Sequence, residues 1–230
     1  MNRAVANAIT LASLIWGFAF AVYTTLRLPA EVAVHFGVDG TPDRFGSSVE
    51  AGFGLLLMPV VALLLNAILV YLPRLDARAT GQAKVFDLIR ATATLLLVVV
   101  QYAIAQSIHT QRFDSRLVMI GLGVLLIVIG NVMPKIGPNP YAGVRLPYTF
   151  ASRQAWWVTN RAGGWLFVIL GALLVICAAV LPKQAALYAL LGLPIGLIAG
   201  LVWLMLLAKR EWQRDPERQP LGSRPGSSRP

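Results

Sequence analysis

Acidic residues are scarce in this chain: Asp and Glu together number 10 against 20 Lys and Arg, leaving a formal net charge of +10. Histidine occurs twice and cysteine once, at Cys177. A single cysteine excludes a disulfide within the chain, and inside an apolar run it reads as a packing residue. His35 and His109 have no cysteine neighbours with which to build a zinc site. The centres of the long apolar runs hold no Asp, Glu or His, the groups on which proton-coupled transporters rely. Catalysis needs a nucleophile, a poised acid or base, or a metal. None stands out, so the residues argue against an enzyme and imply no cofactor and no metal.

Apolar surface is what the chain has in excess. Hydrophobic residues make up 57% of its 230 residues and charged residues 13%, and the mean hydropathy is +0.68. A membrane span needs about 20 consecutive apolar residues, and six runs qualify: Ala4 to Leu26, Ala51 to Leu72, Val85 to Ile108, Leu117 to Met133, Gly163 to Leu181 and Ala185 to Ala208. Period-two alternation is absent from them, which excludes barrel strands. No internal repeat of the kind found in inverted-repeat transporters stands out. The predicted fold is an all-α integral membrane protein, a bundle of six transmembrane helices with a short structured outer loop and a structured inner loop.

Basic residues set the expected orientation. With both termini in the cytoplasm, 15 of the 20 Lys and Arg fall on the inner side, as the positive-inside rule requires. The charge excess then reads as a topology signal and not as a footprint for direct nucleic-acid binding. Arg3, an apolar run and Ala19-Phe20-Ala21 mimic a signal peptide, but the run continues through Val22 and Tyr23, so a retained first helix is expected.

Two connections carry specific chemistry. The outer one, from Leu28 to Ser48, contains His35, Asp39, Asp43 and Arg44. Its Val-Ala-Val-His-Phe run alternates like a short strand, and Gly40, Pro42 and Gly46 punctuate turns. The expectation is a compact hydrogen-bonded loop on the membrane face, with recognition of an external ligand as the sharper reading. The inner connection, from Gly130 to Gly164, carries Lys135, Arg145, Arg153 and Arg161 and no acidic residue. Pro134, Pro138, Pro140 and Pro147 forbid a continuous helix through its first half. Helical pattern resumes at Thr149 or Ser152, either of which can cap it, and Trp156 and Trp157 follow where indole rings suit a membrane interface. Asn131, Asn139 and Asn160 are expected to tie irregular backbone together, with Gly143 at a turn closed to other residues. Arg145, Arg153 and Arg161 read as anchors for anionic headgroups. The sharper reading is a folded binding site open to the cytoplasm, formed by Arg145 with Tyr148, Trp156, Asn160 and Arg161.

These strings resemble known families. Leu28-Pro29, His35-Phe36, Gly40 and Pro42-Asp43-Arg44, followed by Met58-Pro59, resemble the short membrane-associated domain DUF1648. Gly130-Asn131, Met133-Pro134-Lys135, Asn139, Gly143, Arg145, Pro147, Thr149, Trp156, Thr159, Arg161 and Gly163-Gly164 resemble the signature of the SdpI family of bacterial membrane proteins. Residue-level likeness runs from about Leu28 to Gly171; the last span is similar only as an apolar helix. The chain departs from the family pattern at Leu146 and Tyr148, usually Thr and Trp, and at Asn160, often His, which removes a titratable group. The resemblance implies an immunity factor against a membrane-active toxic peptide, a protein that signals by binding a cytoplasmic repressor, or both.

Residues 1–72 are expected to form the first two helices with the DUF1648-like loop, 73–208 the SdpI-like domain, and 209–230 a disordered basic cytoplasmic tail rich in Arg, Pro, Gly and Ser. Asn66, Gln101 and Gln106 read as inter-helix hydrogen-bonding groups. The expected function is non-enzymatic binding in the bacterial inner membrane, with the lipid bilayer as the first partner. A small transporter or channel-like protein stands as the alternative. Neither toxin, repressor nor oligomeric state is set by the sequence.

Overall fold

A computed structural model of the chain describes residues 2–37, 39–75 and 82–221. Six helices are long and apolar enough to cross a membrane: α1 (Arg3–Thr25), α2 (Ser48–Tyr71), α3 (Ala83–Thr110), α4 (Arg116–Val132), α6 (Arg153–Val180) and α7 (Lys183–Arg214). A one-turn helix, α5 (Pro147–Phe150), precedes α6, and 3-10 turns extend α2 and α4 at Leu72–Arg74 and Met133–Lys135. Between α1 and α2 the strands β1 (Glu31–Phe36) and β2 (Pro42–Ser47) form an antiparallel hairpin in which Glu31 faces Ser47 and Ala33 faces Phe45. The all-α membrane bundle expected from hydropathy is the fold, with that hairpin as its only sheet among the described residues.

Helix ends follow from capping. Asn2 accepts from the Ala4 amide to start α1, Ser47 from Glu50 to start α2, and Ser152 from Ala155 to start α6. Ser152, and not Thr149, is therefore the cap of α6, which opens ten residues before the apolar run at Gly163. Side chains such as Ile15, Phe53, Leu64, Ile169, Ile195 and Leu206 point outward and are half exposed or more, the surface a bilayer covers.

Helices α1, α2 and α3 pack on one another, α4, α6 and α7 form a second group, and the groups meet through α3 against α4. A boundary at Leu72 would cut α3 away from the two helices it packs on. In the first group Pro59, lacking an N–H, leaves the Leu55 carbonyl without its helical donor. Gln101 Nε2 supplies one, 3.1 Å from Leu55 O and 2.8 Å from Gly17 O. One fully buried amide thus joins three helices. Asn66 likewise donates to Thr94 at 2.6 Å, whereas Gln106 bonds Tyr102 of its own helix. The expectation of inter-helix bonding fails for Gln106 because it lies on the exposed face of α3.

The second group is held by glycine. On α4, Gly123 and Gly130 lie opposite Gly171 and Gly164 of the antiparallel α6, so closely that a Cβ on Gly130 would stand 2.5 Å from the Gly164 carbonyl oxygen, and one on Gly171 2.5 Å from that of Gly123. Small residues let helix backbones touch where no hydrophobic force distinguishes protein from lipid. Below this seam Met119, Leu126, Leu174, Ala178 and Ala186 close the core with α7.

The tail departs from expectation over its first half. α7 continues to Arg214, Gln219 N donates to Ala151 O at 2.7 Å, and Asp215 accepts from the Ser152 hydroxyl. Asp215 is buried beside the start of α6, where a carboxylate meets the positive end of the helix dipole. Residues 209–221 are therefore docked by polar contacts and by Trp212, which a composition rule for disorder does not register. Residues 222–230 of the expected tail lie outside the described residues, as do Arg78 and Gly81 of the second connection.

Candidate functional site

Hairpin and inner connection lie at opposite ends of the bundle. At the hairpin end the β1–β2 turn is built by Asp39, which accepts from the Thr41 hydroxyl at 2.7 Å and from its amide at 3.0 Å. Those bonds, the hydroxyl first, hold the Asp39 carboxyl below its ordinary 3.8. A depressed folded pKa gives stabilisation that is complete above the unfolded value and lost as pH falls through the folded one. The contribution of Asp39 to this turn is therefore constant near neutrality and is lost only in acid below 3.8. His35 Nδ1 lies 2.6 Å from Asp43 Oδ1, and Arg44 pairs with Glu50 at 2.7 Å. His35, Asp39 and Asp43 do not converge, and no three His, Cys, Asp or Glu side chains among the described residues are placed to hold a metal.

Beneath the hairpin lies a cavity of about 500 Å³. Its walls include Val34 and Phe36 of the hairpin, Gly54 and Met58 of α2, Ile104 of α3 and Phe113 beyond it, with the half-exposed His35, Arg44 and Glu50 also lining it. The Phe113 amide donates to Gly40 O at 2.9 Å. Gly40 has φ +77°, and a Cβ there would meet Phe113 O at 3.0 Å, so glycine is what lets the hairpin tip close on the α3–α4 connection.

At the other end the inner connection is a hydrogen-bonded structure with few free groups. Asn139, buried, accepts from the Tyr141 and Ala142 amides at 2.8 Å each and donates to Gly137 O at 2.9 Å. Thr149 Oγ1 accepts from the Leu146 amide at 2.9 Å and donates back to Val144 O or Leu146 O. Asn160 accepts from the Val144 amide at 2.8 Å and donates to Trp156 O at 3.0 Å, while the Trp156 indole N–H donates to Ile136 O at 2.8 Å. Pro147 opens α5, where its missing N–H costs nothing.

Trp156 and Asn160 are both 0% exposed. They build the loop from inside and do not line a surface open to solvent, which corrects the expected site. Asn131 is exposed on the last turn of α4 and forms no bond among the described residues, so only Asn139 and Asn160 tie the backbone. Of the two adjacent indoles, Trp157 alone faces outward. Of the expected site residues in this connection, Asn131, Lys135, Arg145, Pro147 and Arg161 are exposed, with Arg145 folded back on the Pro140 carbonyl. Tyr148 packs against Trp212 of the tail, ring centroids 5.7 Å apart. Sequence reasoning missed Gln82, which donates to Gly137 O at 3.3 Å and accepts from Asn139; nothing in the order of residues brings it there.

Gly143 is the position at which this loop is most easily tested. Its φ is +103°, and a Cβ would fall 2.5 Å from Asn160 Oδ1. Gly143→Ala is expected to cost about 1–3 kcal/mol, seen as a lower unfolding midpoint in detergent and faster proteolysis near Val144, with helix content unchanged.

Residues 135–208 match the SdpI/YfhL protein family, and residues 9–63 match DUF1648, a domain of unknown function. The chain carries an SdpI-type region over residues 135–208. Its family region runs from the inner connection through α6 and nearly all of α7, so the likeness extends to Ala208, beyond the Gly171 limit read from residues alone. The DUF1648 region takes in most of α1, the hairpin and most of α2, and α3 and α4 lie between the two matches. An uncharacterized protein of Archaeoglobus fulgidus is 39% identical over 69 residues, 30% of this chain and 34% of that protein. The chain thus spans about a third of the length of that curated relative. No solved structure matches the chain.

Proposed function

We propose that this SdpI-type membrane protein sits in the bacterial inner membrane with both termini in the cytoplasm and binds without turnover, protecting its host from a membrane-active toxic peptide. The observation that carries the reading is the cavity under the hairpin: apolar walls with a His, an Arg and a Glu beside them suit an amphipathic segment with charged flanks arriving from the membrane surface. Orientation rests on the 15-to-5 division of basic residues. Family likeness supplies the class of peptide; the cavity supplies a place for it.

Gly54 gives the test. A Cβ at this lining position meets nothing within 4 Å, so Gly54→Phe adds its bulk to the cavity wall from a position with open space around it, and it improves helix propensity. In a sensitive bacterium expressing equal amounts of each protein, the native chain is expected to protect against an amphipathic membrane-active peptide. Gly54→Phe is expected to lower the tolerated concentration about tenfold, the loss of about 1.4 kcal/mol of binding. Equal protection by both removes the cavity from the mechanism, and no protection by either removes immunity.

A second reading, capture of a cytoplasmic repressor, is favoured by the rigidity of the inner connection and its exposed Lys135, Arg145 and Arg161. It expects Arg145→Ala to abolish repressor recruitment to membranes while leaving the Asn139 and Asn160 hydrogen bonds untouched.

A further inference from the structure

The second and larger cavity, about 910 Å³, lies on the membrane-facing side of α6 and α7 and is lined by Trp157, Arg161, Trp165, Leu166, Ile169 and Trp203 among others. We propose that this groove is a binding site for one anionic phospholipid, its phosphate on Arg161 and an acyl chain along Trp165, Leu166 and Ile169.

Depth in the bilayer follows from length. The 28 residues of α6 span about 42 Å, against about 30 Å of hydrocarbon. With Val180 at the far boundary, about eight residues of α6 project beyond the near one, which puts Arg161 at the junction of hydrocarbon and headgroups. Trp157 then lies in the headgroup layer and Trp165 within the chains. Indole rings on both helices at this level, with Trp203 contributed by α7, form the aromatic collar expected at an interface.

Charge selects the occupant. Arg161 is exposed and has no hydrogen bond or ion pair among the described residues, whereas Arg44, Arg90 and Arg214 each have a carboxylate partner. A guanidinium held beside the phosphate level binds an anionic headgroup in fork geometry. A phosphatidylcholine phosphate is already balanced by its own ammonium group. The apolar floor at Leu166 and Ile169 continues from Arg161 toward the membrane centre, which distinguishes a lipid from free inorganic phosphate. This site is at the opposite end of the bundle from the peptide cavity and does not depend on that reading.

The test uses the full chain in phosphatidylcholine vesicles doped with phosphatidylglycerol or further phosphatidylcholine, the added lipid carrying bromine on its acyl chain as a tryptophan quencher. Brominated phosphatidylglycerol is expected to quench at a mole fraction about fivefold lower than brominated phosphatidylcholine, the factor for one basic contact to an anionic membrane. Arg161→Gln should make the two lipids equal, and Arg153→Gln, an exposed cation outside the groove, should keep the difference. Equal quenching by both lipids in the native chain overturns the site. An equal loss in Arg153→Gln also overturns it, in favour of a diffuse basic surface. Quenching that falls as the protein is concentrated, with Trp165→Cys cross-linking to a second chain, would assign the groove to a dimer contact and overturn it too.

Discussion

Arg90→Met is expected to remove most of the folded protein from the membrane. Arg90 and Asp87 lie in the first turns of α3 and are 3% and 6% exposed. The guanidinium donates to Asp87 at 3.0 Å, to Thr10 and Asn66 at 3.4 Å each, and to Asn7. One side chain thus satisfies groups on α1, α2 and α3 together. Removing it leaves a buried carboxylate without its cation, which typically costs about 3–5 kcal/mol. That loss is comparable with the whole stability of a modest domain. Combining Asp87→Asn with Arg90→Met should recover much of it, because an uncharged pair has no stranded charge. Unfolding in detergent followed by tryptophan fluorescence, with membrane abundance beside it, checks both; an unchanged midpoint in Arg90→Met would show the cluster to be incidental.

Gly130→Val is expected to separate α4 from α6. The obstructing atom at 2.5 Å is the Gly164 backbone oxygen, and Val168 Cγ2 is close behind at 2.9 Å. A flexible side chain can swing aside, but a helix backbone moves only with its helix. Gly130→Ala should cost about 1–3 kcal/mol as ordinary overpacking, and the branched residue more. The inner connection hangs from these two helices, so proteolysis between Ile136 and Leu146 should accelerate in both variants. Gly192, whose Cβ would meet nothing within 4 Å, serves as the control: Gly192→Ala should be neutral or stabilising.

The legible part of the fold was what hydropathy and local chemistry encode. Six spans, the strand at Val32 to Phe36 and a structured loop made by four prolines all follow from period, composition and fixed φ. Long-range pairing was not legible. Asp87 sits four residues into α3, and only the fold shows it buried, beside residues of α1 and α2. Trp156 and Asn160 stood in the right string but were given the wrong face, because adjacent indoles look equivalent until the helix phase is known. The glycine seam had a visible signal, seven-residue spacing on two apolar helices, Gly123 to Gly130 and Gly164 to Gly171. What the sequence could not supply was which helix would face which.

α3 is fastened at both of its ends to elements outside its own helical group. Gln82, the residue before its first turn, holds Gly137 and Asn139 of the inner connection, and Phe113, just past its last turn, holds Gly40 at the hairpin tip. Between those fastenings run 28 helical residues, a rod of about 42 Å whose flanks are pinned by Arg90 and Gln101. An insertion that rotates or lengthens this helix by one residue would turn Arg90 and Gln101 off their partners by about 100° and misplace one fastening relative to the other. α3 thus acts as a tie bar that sets the distance between the two faces of the molecule, and its register is a dimension the protein has to keep.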